Sequence, residues 1–227
     1  HARRHLLSEG QPHRRVILTG SPMKEVLDHY QPGIDASSIR DALRLEKKGY
    51  VLVSMHREEN VDDPRHLSEL LDALIAVHER FDIPVLVSTH PRTRKRLEQR
   101  TPPFEHSGVT FTKPLGFLDY NRLQMDAFCV LSDSGTITEE SALLGFPAVT
   151  IRRSMERPEG LDTGSILVTG LDAEIIVQSV IAVTDAWEEG RIPPVPRDYR
   201  VDNVSQRVLN LIMGTARLSN EWAGVRS

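Results

Sequence analysis

Short runs rich in Val, Ile and Leu, without polar alternation, recur along the chain at Val16 to Thr19, Tyr50 to Ser54, Pro84 to Thr89, Val109 to Thr112, Phe128 to Ser132, Ala148 to Ile151 and Ile166 to Thr169. Runs of this kind predict strands buried on both faces, as in a parallel sheet. Helical patterns fill the intervals. Asp63-Pro64 opens one, with Leu67, Leu70, Leu71, Leu74, Ile75 and His78 at helical spacing. Pro91 to Gln99 predicts a basic helix, and Ser134 to Leu144 a short one closed by Gly145. Asp172 to Glu189 and Asn203 to Leu218 predict long amphipathic helices. Strand and helix in this alternation predict an α/β fold, a Rossmann-like doubly wound parallel sheet. The segment Gly190 to Arg200 holds three prolines and reads as a loop that carries the last helix away from the sheet body. The expected division is a Rossmann-like domain over 1–190, then a loop and C-terminal helix over 191–227.

Composition narrows the function classes. The chain has 227 residues, enough to bury a real core. With 28 Lys plus Arg against 32 Asp plus Glu, the net charge of -4 argues against a general nucleic-acid binder. The single cysteine, Cys129, excludes an internal disulfide framework and a Cys-based zinc site. It lies inside an apolar run and reads as a small buried hydrophobe rather than a nucleophile. No apolar stretch approaches the roughly 18 residues of a membrane span, and no signal peptide opens the chain, so the expected compartment is the cytoplasm. Residue 1 is His rather than Met, which leaves open that the chain does not begin where its gene begins.

Ligands of an open parallel sheet bind outside the carboxyl ends of its strands. Four polar clusters fall there. His56-Arg57-Glu58-Glu59-Asn60 follows Tyr50 to Ser54; its histidine suits proton transfer or phosphate contact, unless the loop is an exposed one whose charges pair with each other. His90-Pro91-Arg92-Thr93-Arg94 opens a helix whose N-terminus and arginines suit an anion, or is a helix cap beside a solvated basic face. Asp133-Ser134-Gly135-Thr136 also opens a helix, with Gly135 leaving space for a phosphate and Glu139 or Glu140 able to accept bonds from ribose or sugar hydroxyls. A capping box from Ser134 or Thr136 to a glutamate is the competing and compatible reading. Arg152 to Gly160 suggests a diphosphate or sugar clamp, or a salt-bridged loop, which is the preferred reading for Arg153. Together the clusters suit an anionic ligand with hydroxyls, such as a nucleotide. The chain has no Gly-x-Gly-x-x-Gly and no Walker loop, which speaks against dinucleotides and kinase-type ATP sites. His56, His90 and the acids lack metal-ligand spacings, so no metal is expected. His29, His66, His78 and His106 show no partner in the sequence.

In this order, the motifs resemble the non-hydrolysing UDP-N-acetylglucosamine 2-epimerase family. The residues that carry the likeness are His56 to Asn60, Asp133-Ser134-Gly135, Glu139-Glu140, Leu144-Gly145-Phe146-Pro147 and Glu156-Arg157-Pro158-Glu159-Gly160, joined by Thr19-Gly20-Ser21-Pro22 and Asn203-Val204-Ser205. The resemblance implies a GT-B arrangement of two Rossmann-like domains, of which this chain looks like the C-terminal, UDP-binding one with the N-terminal domain absent. The C-terminal helix would pack back toward that domain. The implied reaction is inversion at C2 through elimination and re-addition of UDP, with no cofactor. The missing domain would supply the acids for C2 proton transfer and much of a homodimer contact. Carried over by motif, His56 and Arg157 are the expected catalytic residues, with Arg157 at the sugar. Ser134 and Gly135 are expected at phosphate, Glu140 at the ribose hydroxyls and Arg57 and His90 at the substrate. Tyr120 is expected near the uracil, or is an ordinary helix-start residue. Gly-Thr-Ile-Thr-Glu-Glu and His-Pro-Arg-Thr resemble the capsule and O-antigen branch that makes sugars such as UDP-N-acetyl-L-fucosamine. The alternatives are a GT-B glycosyltransferase using a UDP-sugar and a non-catalytic UDP-sugar-binding module.

Overall fold

The computed structural model describes residues 1–222. Six strands form one parallel sheet: β1 (Val51–Ser54), β2 (Val85–Ser88), β3 (Val109–Thr112), β4 (Cys129–Ser132), β5 (Ala148–Thr150) and β6 (Leu167–Val168), in the order β3-β2-β1-β4-β5-β6. Chain order reverses between β1 and β4, which makes that gap the topological switch point of a Rossmann-like sheet.

Each face of the sheet is buried for a reason visible in the strands. Successive side chains point to opposite faces. Val51, Val53, Val87 and Leu131 therefore enter one core with Leu70, Leu71, Leu74 and Val77 of the helix Pro64–Phe81 and Ile176 and Val180 of the helix Ala173–Glu188. Leu52, Leu86 and Val130 enter the other core, with Leu123, Ile137 and Phe146. Helix ends follow the expected chemistry. The Asp63 side chain accepts from the Arg65 N–H ahead of Pro64, Asp172 accepts from the Ile175 N–H, and Gly145 closes the helix Ile137–Leu144 at φ 74°.

Three expectations need correction. Val16 to Thr19 is no strand: Val16 ends a 3-10 turn over His13–Arg15, and Ile17 and Leu18 are exposed. A four-residue apolar run becomes a strand only where a neighbour offers its N–H and C=O groups, and sequence does not show the neighbour. The helix expected from Ser134 starts at Ile137, behind a turn at Gly135 and Thr136. The helix expected over Asn203 to Leu218 runs over Val204–Thr215 and is followed by a separate short one, Ser219–Trp222.

Contacts divide the chain into two units, Tyr30–Pro194 and His1–His29 with the residues from Val195 onward. The break near 194 falls in the proline-rich loop, and the first 29 residues group with the C-terminal segment. Within the smaller unit, the Ser21 N–H donates to the Asp198 carbonyl (2.9 Å) and Glu25 accepts from the Ser205 N–H (3.0 Å) and hydroxyl (3.1 Å).

Gly160, in the short helix Pro158–Thr163 that follows β5, couples that segment to the helix Ile137–Leu144. A Cβ there would overlap Thr138 Cγ2 and lie 3.0 Å from Ile166 Cγ2. Gly160→Ala should lower stability by about 1–3 kcal/mol, the scale of overpacking. Urea denaturation checks this, and an unchanged midpoint would show that the contact yields.

Candidate functional site

The loops after β1, β4 and β5 meet on one carboxylate. Asp133, just beyond β4, is fully buried. It accepts the backbone N–H groups of His56 (3.0 Å) and Arg57 (2.9 Å) and the Asn60 side-chain amide (3.1 Å), and His56 Nδ1 lies 3.1 Å from its Oδ1. Asn60 also donates to the Ile151 carbonyl at 3.1 Å, which brings in the loop after β5. A buried carboxylate persists only when hydrogen-bonded. The loop after β1 is thus shaped by donors converging on Asp133, and its polar density is more than surface solvation.

Next to this hub lies a cationic niche. Arg57 donates from Nε to the Asp133 carbonyl (3.1 Å) and from Nη1 and Nη2 to the two carboxylate oxygens of Glu156 (2.8 Å each). Arg152, 2% exposed, donates from Nη2 to the same carboxylate at 2.9 Å. The Arg57 guanidinium, with help from Arg152, holds the Glu156 carboxyl down at about 2. Gly135 faces this group: a Cβ on it would lie 3.1 Å from Glu156 Oε2, 3.8 Å from Arg57 Nη2 and 4.0 Å from Arg152 Nη1. Two guanidiniums share one carboxylate beside a residue with no side chain and close to a helix N-terminus. Such a niche can accept a phosphate in exchange for, or beside, that carboxylate.

Ser134 tightens the turn that presents Gly135. Its N–H donates to Ser132 Oγ (3.1 Å), and its own hydroxyl accepts from the Thr136 N–H (3.3 Å) and lies 2.9 Å from Thr136 Oγ1. Thr136 occupies the N-cap position of Ile137–Leu144 without a side-chain cap bond, so the capping box is not formed.

A second cluster surrounds Glu140, one turn into that helix. Its carboxylate is buried and accepts from Gln124 Nε2 at 2.8 Å. Burial pushes its pKa up, while the bonds from Gln124 and Thr136 oppose the rise. Tyr120 lies against this group: burial, then the Glu140 charge, push its phenol up, and bonds with Ser54 and Gln124 work the other way. Arg157 Nε lies 3.7 Å from Glu139 Oε1. The His90 ring sits 5.7 Å from that of His56 between centroids, and its Nδ1 accepts the Arg92 N–H at 3.2 Å.

His56, Arg57, Ser134, Gly135 and His90 thus fall at the switch point, with Glu140 and Tyr120 in the adjoining cluster and Arg157 beside Glu139. The anion role expected of the arginines after His90 is not supported: Arg92 pairs with Asp62 (2.9 Å) and Glu58 (2.7 Å), and Arg94 donates to the Thr112 carbonyl (2.8 Å). Among the described residues, Arg153 pairs with Glu69 at the surface, at 3.4 Å. His66 and His78 bond the Glu59 (2.6 Å) and Ile83 (2.8 Å) carbonyls. Cys129 is fully buried, its thiol pushed up to about 12. The described residues include no cluster of His, Cys, Asp and Glu that could hold a metal, and no helix long and apolar enough to cross a membrane. Sequence reasoning gave no role to Asn60, Gln124 or the Asp133 side chain. The one available signal was a polar residue at an otherwise apolar, core-facing position, as Gln124 is beside Leu123.

The Glu156 clamp makes stability depend on pH. Its folded pKa of about 2 lies below the ordinary 4.5, so its stabilisation is complete above 4.5 and is lost as pH falls toward 2. Glu156→Gln should be less stable than wild type near neutrality, and the gap should narrow as pH drops from roughly 6 to roughly 3. Denaturant titrations across that range test this; a gap independent of pH would remove the clamp.

A family model described as UDP-N-acetylglucosamine 2-epimerase matches residues 1–213. A UDP-N-acetylglucosamine 2-epimerase of Methanocaldococcus jannaschii is 27% identical over 186 residues, which cover 79% of this chain and 50% of that protein. A Pseudomonas aeruginosa protein named UDP-2,3-diacetamido-2,3-dideoxy-D-glucuronate 2-epimerase is 34% identical over 131 residues, 58% of this chain and 36% of its own. Among solved structures, a UDP-N-acetylglucosamine 2-epimerase from Rickettsia bellii superposes with a TM-score of 0.86 at 40% identity, covering 97% of this chain and 59% of that one. This chain therefore spans about half the length of the curated relatives it matches. The match over nearly all of the sequence, together with the same fold, establishes that the chain belongs to the UDP-N-acetylglucosamine 2-epimerase family.

Proposed function

We propose that this chain is the nucleotide-binding part of a UDP-N-acetylhexosamine 2-epimerase acting in bacterial cell-surface polysaccharide precursor synthesis. The observation that carries the reading is the niche at Gly135, where Arg57 and Arg152 converge on one exchangeable carboxylate at the sheet's switch point. In the proposed reaction a base removes the C2 proton, the C1–O bond breaks and its electron pair leaves with UDP. UDP then adds back to the glycal after reprotonation on the opposite face. Breaking the C1–O bond places charge on the β-phosphate, where preorganised cations and N–H groups lower the barrier. Ser134, Gly135 and Arg57 serve the diphosphate, with His56 and His90 beside it. Glu140 accepts the ribose hydroxyls, Tyr120 flanks the uracil and Arg157 reaches the sugar. No cofactor or metal takes part.

The acids for C2 proton transfer belong, in this reading, to a second Rossmann-like domain corresponding to the part of the relatives that this chain does not match. Residues 191–222 return toward it, and the last part of the expected segment, 223–227, lies outside the described residues. The support is the apolar row Val208, Leu209, Ile212 and Met213, exposed on the helix Val204–Thr215. The full protein is a cytoplasmic homodimer. Its sugar is a modified UDP-hexosamine, a reading supported by the name of the Pseudomonas relative.

Isothermal titration should show UDP binding to the 227-residue chain, while UDP-N-acetylglucosamine in deuterated water gains no deuterium at C2. Glu140→Ala should weaken UDP by about 1–3 kcal/mol, the scale of lost hydrogen bonds to a charged group. Deuterium incorporation by this chain alone would overturn the division of labour. Unaltered UDP affinity in the variant, with a lower melting temperature, would reduce Glu140 to a structural role.

A further inference from the structure

Gln124 is fully buried on the helix Phe117–Asp126, and its Nε2 donates to Glu140 Oε2 at 2.8 Å. Its Oε1 is also buried and has no hydrogen-bond partner among the described residues. Leu123, Ala127 and Ile137 belong to the core beside it. An apolar side chain of similar size would avoid the cost of that orphaned oxygen, so packing alone gives no reason for an amide here, whose polar partners are Glu140 and Tyr120.

Glu140 supplies the reason. A buried carboxylate takes up a proton unless donors or cations favour its charged form. The groups facing it are Gln124, the Thr136 hydroxyl, the neighbouring Glu139 carboxylate and the Tyr120 phenol. None of these is a cation, and Glu139 opposes ionisation. A guanidinium in place of Gln124 would neutralise the carboxylate and compete with hydroxyl donors. A neutral amide holds one oxygen and leaves the net charge for an incoming ligand.

We propose that Gln124 is a positioning residue of the nucleotide-sugar site: its amide fixes the Glu140 carboxylate in one orientation, with its free oxygen positions turned to accept two vicinal hydroxyls. This rests on the reading of Glu140 as the ribose acceptor. The test uses the full chain and UDP-N-acetylglucosamine, whose substituted diphosphate does not titrate near neutrality, by calorimetry from roughly pH 5.5 to 8.5. Each variant is compared with wild type at the same pH, so that titration of groups common to both, His56 and His90 included, cancels. Gln124→Met should bind roughly tenfold more weakly at the acid end, and the deficit should shrink as pH rises and Glu140 deprotonates. Gln124→Glu should show the opposite sign, its deficit shrinking as pH falls, because one proton shared by the two carboxyls restores the donor. Glu140→Gln separates the two readings. Wild-type affinity in that variant overturns the ribose assignment itself. Weak binding there, combined with wild-type or pH-independent behaviour of both Gln124 variants, overturns only the positioning role.

Discussion

Asp133 is a carboxyl group sealed beneath the carboxyl edge of the sheet, and the surrounding loops turn their hydrogen-bond donors toward it. Two consecutive backbone N–H groups, from His56 and Arg57, and the Asn60 amide all point inward at it. Removing an acceptor of this kind strands several donors at once, so the loop after β1 has one low-energy course. Because Asn60 also bonds the Ile151 carbonyl, the same carboxylate fixes the spacing of the β1, β4 and β5 ends. His56, Arg57, Gly135 and Arg152 inherit their positions from it.

The charges above this hub form a graded series. Arg152 is buried, Arg57 is partly covered and Glu156 is about half exposed. The exposed partner is the one that can move. The Glu156 carboxylate occupies both guanidinium forks beside Gly135, and the segment after β5 carries both Arg152 and Glu156. Gly160, packed under Thr138, ties that segment to the helix whose first turns hold Glu139 and Glu140. The Gly135 niche and the Glu140 cluster are therefore linked through this packing. They meet opposite demands: a carboxyl held low by cations at one end, and a carboxyl raised by burial and restrained by neutral donors at the other.

Much of the fold was legible along the chain. Unalternating Val and Leu runs announced β1 to β6 because strands buried on both faces need apolar residues on both. Pro64, Asp172 and Gly145 marked helix ends because their backbone and side-chain chemistry acts locally. The polar clusters after the strands were legible as a candidate site because a parallel sheet collects its strand ends at one edge. Val16 to Thr19 misled because its pairing, or lack of it, lies outside its own sequence.

What the sequence could not decide was which polar residue faces which. The arginines after His90 and those after β5 look alike as letters, yet the first set is spent on Asp62, Glu58 and a carbonyl, while Arg152 is buried against the Gly135 niche. In the chain Gln124 stands out only as a polar residue beside Leu123; its meaning comes from Glu140, sixteen residues away, on another helix. By itself the sequence determined the element types, the parallel architecture and the edge that carries the site, since these follow from local periodicity and capping. Only the tertiary structure decided the charge partnerships, because a carboxylate's state depends on the donors and burial that distant segments bring to it.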